Sequence, residues 1–160
     1  MTTISTAELE KFDQIIKIQN NPQKLFVSLE KGAKQPIWAT KNSAACDLFV
    51  LGDYVLPPNS HTLLSTGVRF EIPNGKFGLV KSRSSMAKKG IMVDGVIDSD
   101  YRGIVYLNTH NQTNKEFCVK SGTRLAQMLI LNHDQPKIVV KEKLSQTERG
   151  NGGFGSTGKF

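Results

Sequence analysis

From residue 25 onward the chain alternates short apolar runs with turn residues, and no helical repeat separates them. Residues 68–72 show this most clearly. Val68, Phe70 and Ile72 fall on one side of an extended chain and Arg69 and Glu71 on the other. Similar runs at 25–29, 48–51, 54–56, 77–80, 91–93, 104–107, 117–119, 125–131 and 138–140 are punctuated by Pro57-Pro58-Asn59, Pro73-Asn74-Gly75 and residues 111–114. Many short strands at this spacing, without the helices that parallel crossovers need, predict an all-β fold, a distorted β-barrel or jelly roll. Pro36 and Trp38 are expected at its edge. Ahead of it, residues 6–20 set Leu9, Phe12, Ile15 and Ile16 at spacings of three and four, which predicts one amphipathic helix with Thr6 near its start. Its polar face mixes Lys with Glu and Asp, so the apolar stripe suits a protein surface better than a membrane. The expected division is an N-terminal extension over 1–23, a β domain over 24–144 and a flexible glycine-rich arm over 145–160.

A chain of 160 residues can bury one core without metal or disulfide staples. With 38% hydrophobic and 22% charged residues and no apolar run of bilayer length, membrane spanning is excluded as an expectation. Cys46 and Cys118 lack metal-ligand spacing and read as small buried hydrophobes, and the first residues lack a signal-peptide profile. An intracellular protein, cytoplasmic or nuclear, is expected. His61, His110 and His133 fall in turns or strand ends with no spaced partner and read as surface or structural residues. The 21 Lys and Arg against 14 Asp and Glu leave a charge of +7, which calls for an anionic partner. The charge forms no tail or stripe, so stable nucleic-acid binding is not expected. Within the acid-free window from residue 76 to 89, Arg83 stands among Ser82, Ser84 and Ser85, and a guanidinium beside hydroxyls makes a compact set of anion donors.

The C-terminal arm matches two phosphate-binding patterns formally. Gly150-Asn151-Gly152-Gly153-Phe154-Gly155 fits G-x-G-x-x-G, but no strand-turn-helix pattern surrounds it. Residues 153–159 fit the start of a P-loop, but Phe160 stands where that loop needs Ser or Thr. Consecutive glycines nonetheless let backbone N–H groups converge on a phosphate, and Arg149, Ser156 and Thr157 add donors. Phe154 between glycines has no use in a mere linker.

Five ordered segments carry a closer resemblance. They are Ala44-Ala45-Cys46-Asp47-Leu48, Arg83-Ser84-Ser85-Met86-Ala87, Gly95-Val96-Ile97-Asp98-Ser99-Asp100-Tyr101-Arg102-Gly103, Gly122-Thr123-Arg124-Leu125-Ala126-Gln127 and the arm from Arg149 to Gly158. In order and spacing they resemble the signature motifs of the homotrimeric dUTP pyrophosphatase (dUTPase) family, over residues 24–160. Ala45-Cys46 departs from the Gly and aromatic of many members, while the Asp of that motif is retained.

The resemblance implies hydrolysis of dUTP to dUMP and pyrophosphate, with Mg²⁺ on the triphosphate and water attacking the α-phosphorus. This limits uracil incorporation into DNA and supplies dUMP for dTMP synthesis. It casts Asp98 as the catalytic carboxylate that activates the water, and Asp47 as the residue that holds the metal's shell through water. Arg83, Ser84, Ser85 and Gln127 would bind phosphate, although residues 125–129 also read as a plain strand with Gln127 beside Leu125 and Leu129. The main chain of Gly95, Val96 and Ile97 would read the uracil edge, and Tyr101 would pack under the deoxyribose and exclude a 2′-OH. Arg149, Gly155, Ser156 and Thr157 would close over the γ-phosphate while Phe154 stacks on the base. A homotrimer with sites shared between subunits is implied. Two other readings are a dCTP deaminase of the same superfamily and a catalytically idle nucleotide-binding regulator. The first would need a Glu in the hairpin region, where the acids are Asp94, Asp98 and Asp100. The second would have no use for an intact Asp98, Arg149 and Phe154.

Overall fold

The computed structural model describes residues 24–153, so the helix expected at 6–20 and the arm beyond Gly153 lie outside the described residues. The strands are β1 (Phe26–Leu29), β2 (Ile37–Trp38), β3 (Cys46–Phe49), β4 (Tyr54–Leu56), β5 (Ser60–Ser65), β6 (Val68–Glu71), β7 (Lys76–Ser82), β8 (Ile91–Ile97), β9 (Tyr106–Asn111), β10 (Phe117–Val119) and β11 (Arg124–Asn132). One helical turn, α1 (Ser84–Ala87), follows β7. Seven strands run in the order β2-β3-β11-β7-β8-β9-β5, and β1-β6 and β10-β4 form two-stranded sheets beside them. Every pairing is antiparallel.

Strand β8 makes this a wrapped rather than a flat sheet. Its first three residues, Ile91 to Val93, pair with β9, while Asp94 to Ile97 pair with β7. One strand thus serves two layers, the device by which a jelly roll turns its sheet around a core. The result is a distorted jelly-roll-like fold without a closed barrel. Val68, Phe70 and Ile72 do face inward, each at most 2% exposed, beside Leu48, Leu56, Leu64, Ile91, Leu107, Leu125 and Met128. Full burial of each such side chain contributes about 1.5–3 kcal/mol. Asn111 is the polar rivet of this core. Its buried amide donates to the carbonyls of Leu56, Pro57 and Lys115, and its Oδ1 accepts from the Thr113 N–H and hydroxyl. Among the described residues no buried side-chain polar atom lacks a partner, and no helix is long and apolar enough to cross a membrane.

Several expectations need correction. The third strand starts two residues earlier than the apolar run at 48–51, because Asp47, though charged, is sequestered by ion pairs. The run at 104–107 forms strand only from Tyr106, and β2 and β5 lack a strong alternation and were not foreseen. Residues 138–140 form no strand in a single chain. Trp38 does sit on an edge strand. Cys46 is buried, and burial raises its thiol pKa, but Cys118 is exposed. His61 and His110 have each other: they face across β5 and β9 and stack with ring centroids 4.1 Å apart.

Candidate active site

Strand register brings four polar side chains into one row. Asp47 on β3 lies opposite Gln127 on β11, Gln127 opposite Lys81 on β7, and Lys81 opposite Asp94 on β8, with which it forms an ion pair. Beside the row, β7 ends and α1 begins, so Arg83, Ser84 and Ser85 fall at the junction. Asp47, Arg83, Ser84, Ser85 and Gln127 line one open cleft of about 500 Å³, together with the small residues Ser43, Ala44 and Ala45. Gln127 also donates to the Ser82 carbonyl at 3.1 Å, which ties β11 to the start of the junction. The sequence-predicted phosphate donors of the second and fourth motifs therefore do converge.

Arg124 is the residue that sequence reasoning missed. Asp47, whose side chain is 7% exposed, receives the Arg83 Nε at 3.0 Å on Oδ1 and an Arg124 guanidinium N–H at 3.2 Å on Oδ2. Arg83 in turn donates to the Arg124 carbonyl at 3.2 Å. A β-bulge explains the arrival of Arg124. Between Arg124 and Ala126, β11 advances two residues while β3 advances one, from Phe49 to Leu48. Leu125 and Ala126 are consequently both buried, and Arg124 and Gln127 share a face with Phe49 and Asp47. Simple alternation would set Arg124 and Gln127 on opposite faces and Leu125 with Gln127. The one signal in the sequence was that Arg124 is the sole charge in its motif.

The loop after β8 carries a second group of the predicted residues. Asp98 is exposed and lines a separate open cleft with Val96, Ser99, Asp100, Phe77, His133 and Gln135. Its carbonyl accepts the Tyr101 N–H at 3.2 Å, closing a turn, and the Arg102 guanidinium donates to the Ser99 and Tyr101 carbonyls. The Tyr101 hydroxyl donates to the Ile104 carbonyl at 3.0 Å, which lays the ring across Gly103. A Cβ at Gly103 would overlap that ring and hydroxyl, so glycine is required for the ring's position. Gly95, Val96 and Ile97 lie on the part of β8 paired with β7. At Gly95 an added Cβ would meet only ordinary contact with Val80.

The two clefts share no lining residue. From Asp47 to Asp94 is three strand spacings, and Asp98 lies four residues further along, a backbone separation of roughly 20 Å by strand geometry. Arg149 bonds within its own turn, Nε to the Gly152 carbonyl at 2.9 Å. Phe154, Gly155, Ser156 and Thr157 are outside the described residues. Away from these clefts, the exposed Asp53 carboxyl is held below its ordinary pKa by its hydrogen bond from Lys120 and by the Ser121 N–H, and Lys120 is raised by the same bond.

Among the described residues no group of three or more His, Cys, Asp or Glu could cage a metal. Both Asp47 oxygens already accept a guanidinium, so each keeps about one lone pair, enough to accept from a metal-bound water. This donor set fits Mg²⁺ that keeps its waters and takes its inner ligands from substrate phosphates, and not a protein-caged ion.

The dUTPase family model matches residues 31–158. The deoxyuridine 5'-triphosphate nucleotidohydrolase of Dictyoglomus turgidum is 42% identical over 142 residues, covering 84% of this chain and 97% of that protein. The solved dUTPase of Staphylococcus bacteriophage 80alpha with dUpNHpp superposes with a TM-score of 0.79 at 28% identity, covering 84% of this chain and 98% of the other. An Asp-to-Asn mutant of the dUTPase from S. aureus phage phi11, described as revealing the coordination of a structural Mg(II) ion, gives 0.70 at 25% identity over 76% of this chain and 98% of its own. With the matched region spanning both clefts and the fold in agreement, the chain belongs to the dUTPase family.

Proposed function

We propose that this protein hydrolyses dUTP to dUMP and pyrophosphate, in sites completed between the subunits of a homotrimer. The observation that carries the reading is the convergence of Arg83, Ser84, Ser85 and Gln127 in one cleft beside the buried Asp47. Guanidinium, hydroxyl and amide donors suit the oxygens of a triphosphate, and a cation there offsets charge on the departing pyrophosphate. Asp98 orients the attacking water in line with the α-phosphorus and accepts its proton. Asp47 holds the shell of Mg²⁺ through water, and the ion, when bound, supplies charge neutralisation on the phosphates. Arg149, Gly155, Ser156 and Thr157 cover the γ-phosphate, and Phe154 stacks on the base. Incubation with dUTP, dCTP and UTP in Mg²⁺ tests this: pyrophosphate from dUTP alone is expected. Ammonia from dCTP, or no turnover, would sink it in favour of a deaminase or an idle binder.

Sharing between subunits is supported by the separation of the two clefts. It is supported too by residues beyond β11, where Ile138, Val140 and Leu144 are 92%, 94% and 83% exposed in the single chain. Apolar side chains left this bare have a use against a second copy. Deleting residues 149–160 should leave the trimer intact in sedimentation and lower dUTP turnover by about 100-fold or more, since the lid positions and dehydrates the phosphates. Full activity after truncation would remove the lid.

Discrimination rests on two parts of β8 and its loop. The main chain of Gly95, Val96 and Ile97 reads the uracil edge, where cytosine would leave buried groups unpaired. The Tyr101 ring packs under the deoxyribose and leaves no room for a 2′-OH. Tyr101→Ala should raise the UTP-to-dUTP turnover ratio by about tenfold or more. Gly103→Ala should move the ratio the same way through the displaced ring, and an unchanged ratio in both variants would withdraw this role.

A further inference from the structure

We propose that Arg124 is a positioning residue of the phosphate cleft, acting through Asp47 on Arg83; this rests on the dUTP-hydrolase reading above and extends it. The three residues form a closed ring. Arg83 Nε and an Arg124 guanidinium N–H take one oxygen each of Asp47, at 3.0 and 3.2 Å, and Arg83 reaches back to the Arg124 carbonyl at 3.2 Å.

The physical consequence lies in the freedom of the carboxylate. An aspartate held by one cation can rotate its terminal torsion, which is broad and roughly two-fold, and exchange its oxygens between donors. With Oδ2 occupied by Arg124, Oδ1 stays on the Nε of Arg83. Arg83 is then held by Nε and by one terminal N–H, and three of its five donors remain for a ligand. The rotamer entropy of a long side chain is thereby lost before substrate arrives and not at binding. Charge supports the same arrangement. Two guanidiniums beside one cleft repel each other, and a carboxylate only 7% exposed between them offsets this while leaving the trio at a net +1 for an incoming anion. Asp47 alone would neutralise Arg83.

The arrangement is built by the backbone, not by chance contact of surface chains. The β11 bulge puts Arg124 and Gln127 on one face, and bulges of this kind re-aim side chains next to active sites. Arg124 is 45% exposed and Arg83 27%, so the ring closes at the rim of the cleft, with its acidic member inside.

The full-length protein carries the test, with Arg124→Met, Arg124→Lys, Asp47→Asn and the double variant Asp47→Asn/Arg124→Met. Binding of dUpNHpp and of 2′-deoxyuridine is measured by calorimetry, alongside kcat and KM for dUTP and the melting temperature. Arg124→Met should weaken dUpNHpp by about tenfold and leave 2′-deoxyuridine binding unchanged, with Arg124→Lys recovering part of the loss by restoring a cation on Oδ2. In the Asp47→Asn background the Arg124 substitution should cost less than about twofold more, because the ring is already open. Because Asp47 also holds the Mg²⁺ shell, saturating Mg²⁺ should restore Asp47→Asn in part and leave it well below the parent. Additive losses in the double variant, dUpNHpp affinity of Arg124→Met equal to the parent, or full rescue of Asp47→Asn by Mg²⁺ would each overturn the proposal. If Arg124→Met fails to fold, Arg124→Lys with and without Asp47→Asn measures the same coupling. A parent enzyme that does not turn over dUTP would bring down the hydrolase reading instead, whereas an active parent with additive variants brings down only the ring.

Discussion

Asp98→Asn should lower kcat for dUTP by about 10³-fold, within the range typical of removing a positioned general base, while dUpNHpp affinity stays close to that of the parent. The substitution is nearly isosteric. Asp98 is exposed, its side chain supports no strand, and the turn it begins is closed by its backbone carbonyl, which asparagine retains. Loss of activity with binding intact would therefore report chemistry and not folding. An amide can still accept a hydrogen bond from water but cannot take its proton, so a large residual rate would mean that Asp98 only orients the nucleophile. Stopped assays of pyrophosphate release alongside calorimetry decide this, and full activity in Asp98→Asn would remove the assignment outright.

A second large effect follows from the separation of the two clefts. Asp98→Asn and Arg83→Ala trimers should each be nearly inactive, yet an equal mixture, denatured and reassembled together, should recover activity at about a quarter of its sites. The fraction is statistical. A working site needs Asp98 from a subunit that carries the Arg83 substitution and Arg83 from one that carries the Asp98 substitution, each with about even odds in a site built heterologously from two neighbours. Lys81 pairs with Asp94, and Arg83 and Asp98 lie two and four residues beyond them in opposite directions along the sheet, roughly 20 Å apart by strand geometry, too far to touch one α-phosphate; a site confined to one chain predicts no recovery from any mixture. Native mass spectrometry of the reassembled species would establish that mixed trimers formed, and their inactivity would contradict shared sites.

Much of this is legible in the sequence. The alternation through Val68, Phe70 and Ile72 is a local signal, and the strand it predicts is present with those three side chains buried. The motifs too are local strings. Arg83-Ser84-Ser85 occupies the β7–α1 junction because a strand end followed by a single turn is decided within a few residues. Signals weakened where a neighbour rather than the residue itself makes the strand. Ile37–Trp38 and Ser60–Ser65 become strands only by pairing with β3 and β9, and residues 138–140, apolar enough to be read as a strand, have no pairing partner in one chain. The His61–His110 pairing is hidden for the same reason, since the two are 49 positions apart in sequence and face each other only through the β5–β9 register, although both do lie near strand ends in a structural role.

By itself, then, the sequence determined the all-β class, the turn positions and the types of donor present, because side-chain period and turn chemistry are properties of a few consecutive residues. Tertiary structure decided which donors meet. Register across four strands aligned Asp47, Gln127, Lys81 and Asp94, and one extra residue in β11 turned Arg124 onto their face. A bulge leaves no mark on a period-two pattern except a pair of adjacent buried residues, here Leu125 and Ala126, and burial is known only once the opposing strand is in place.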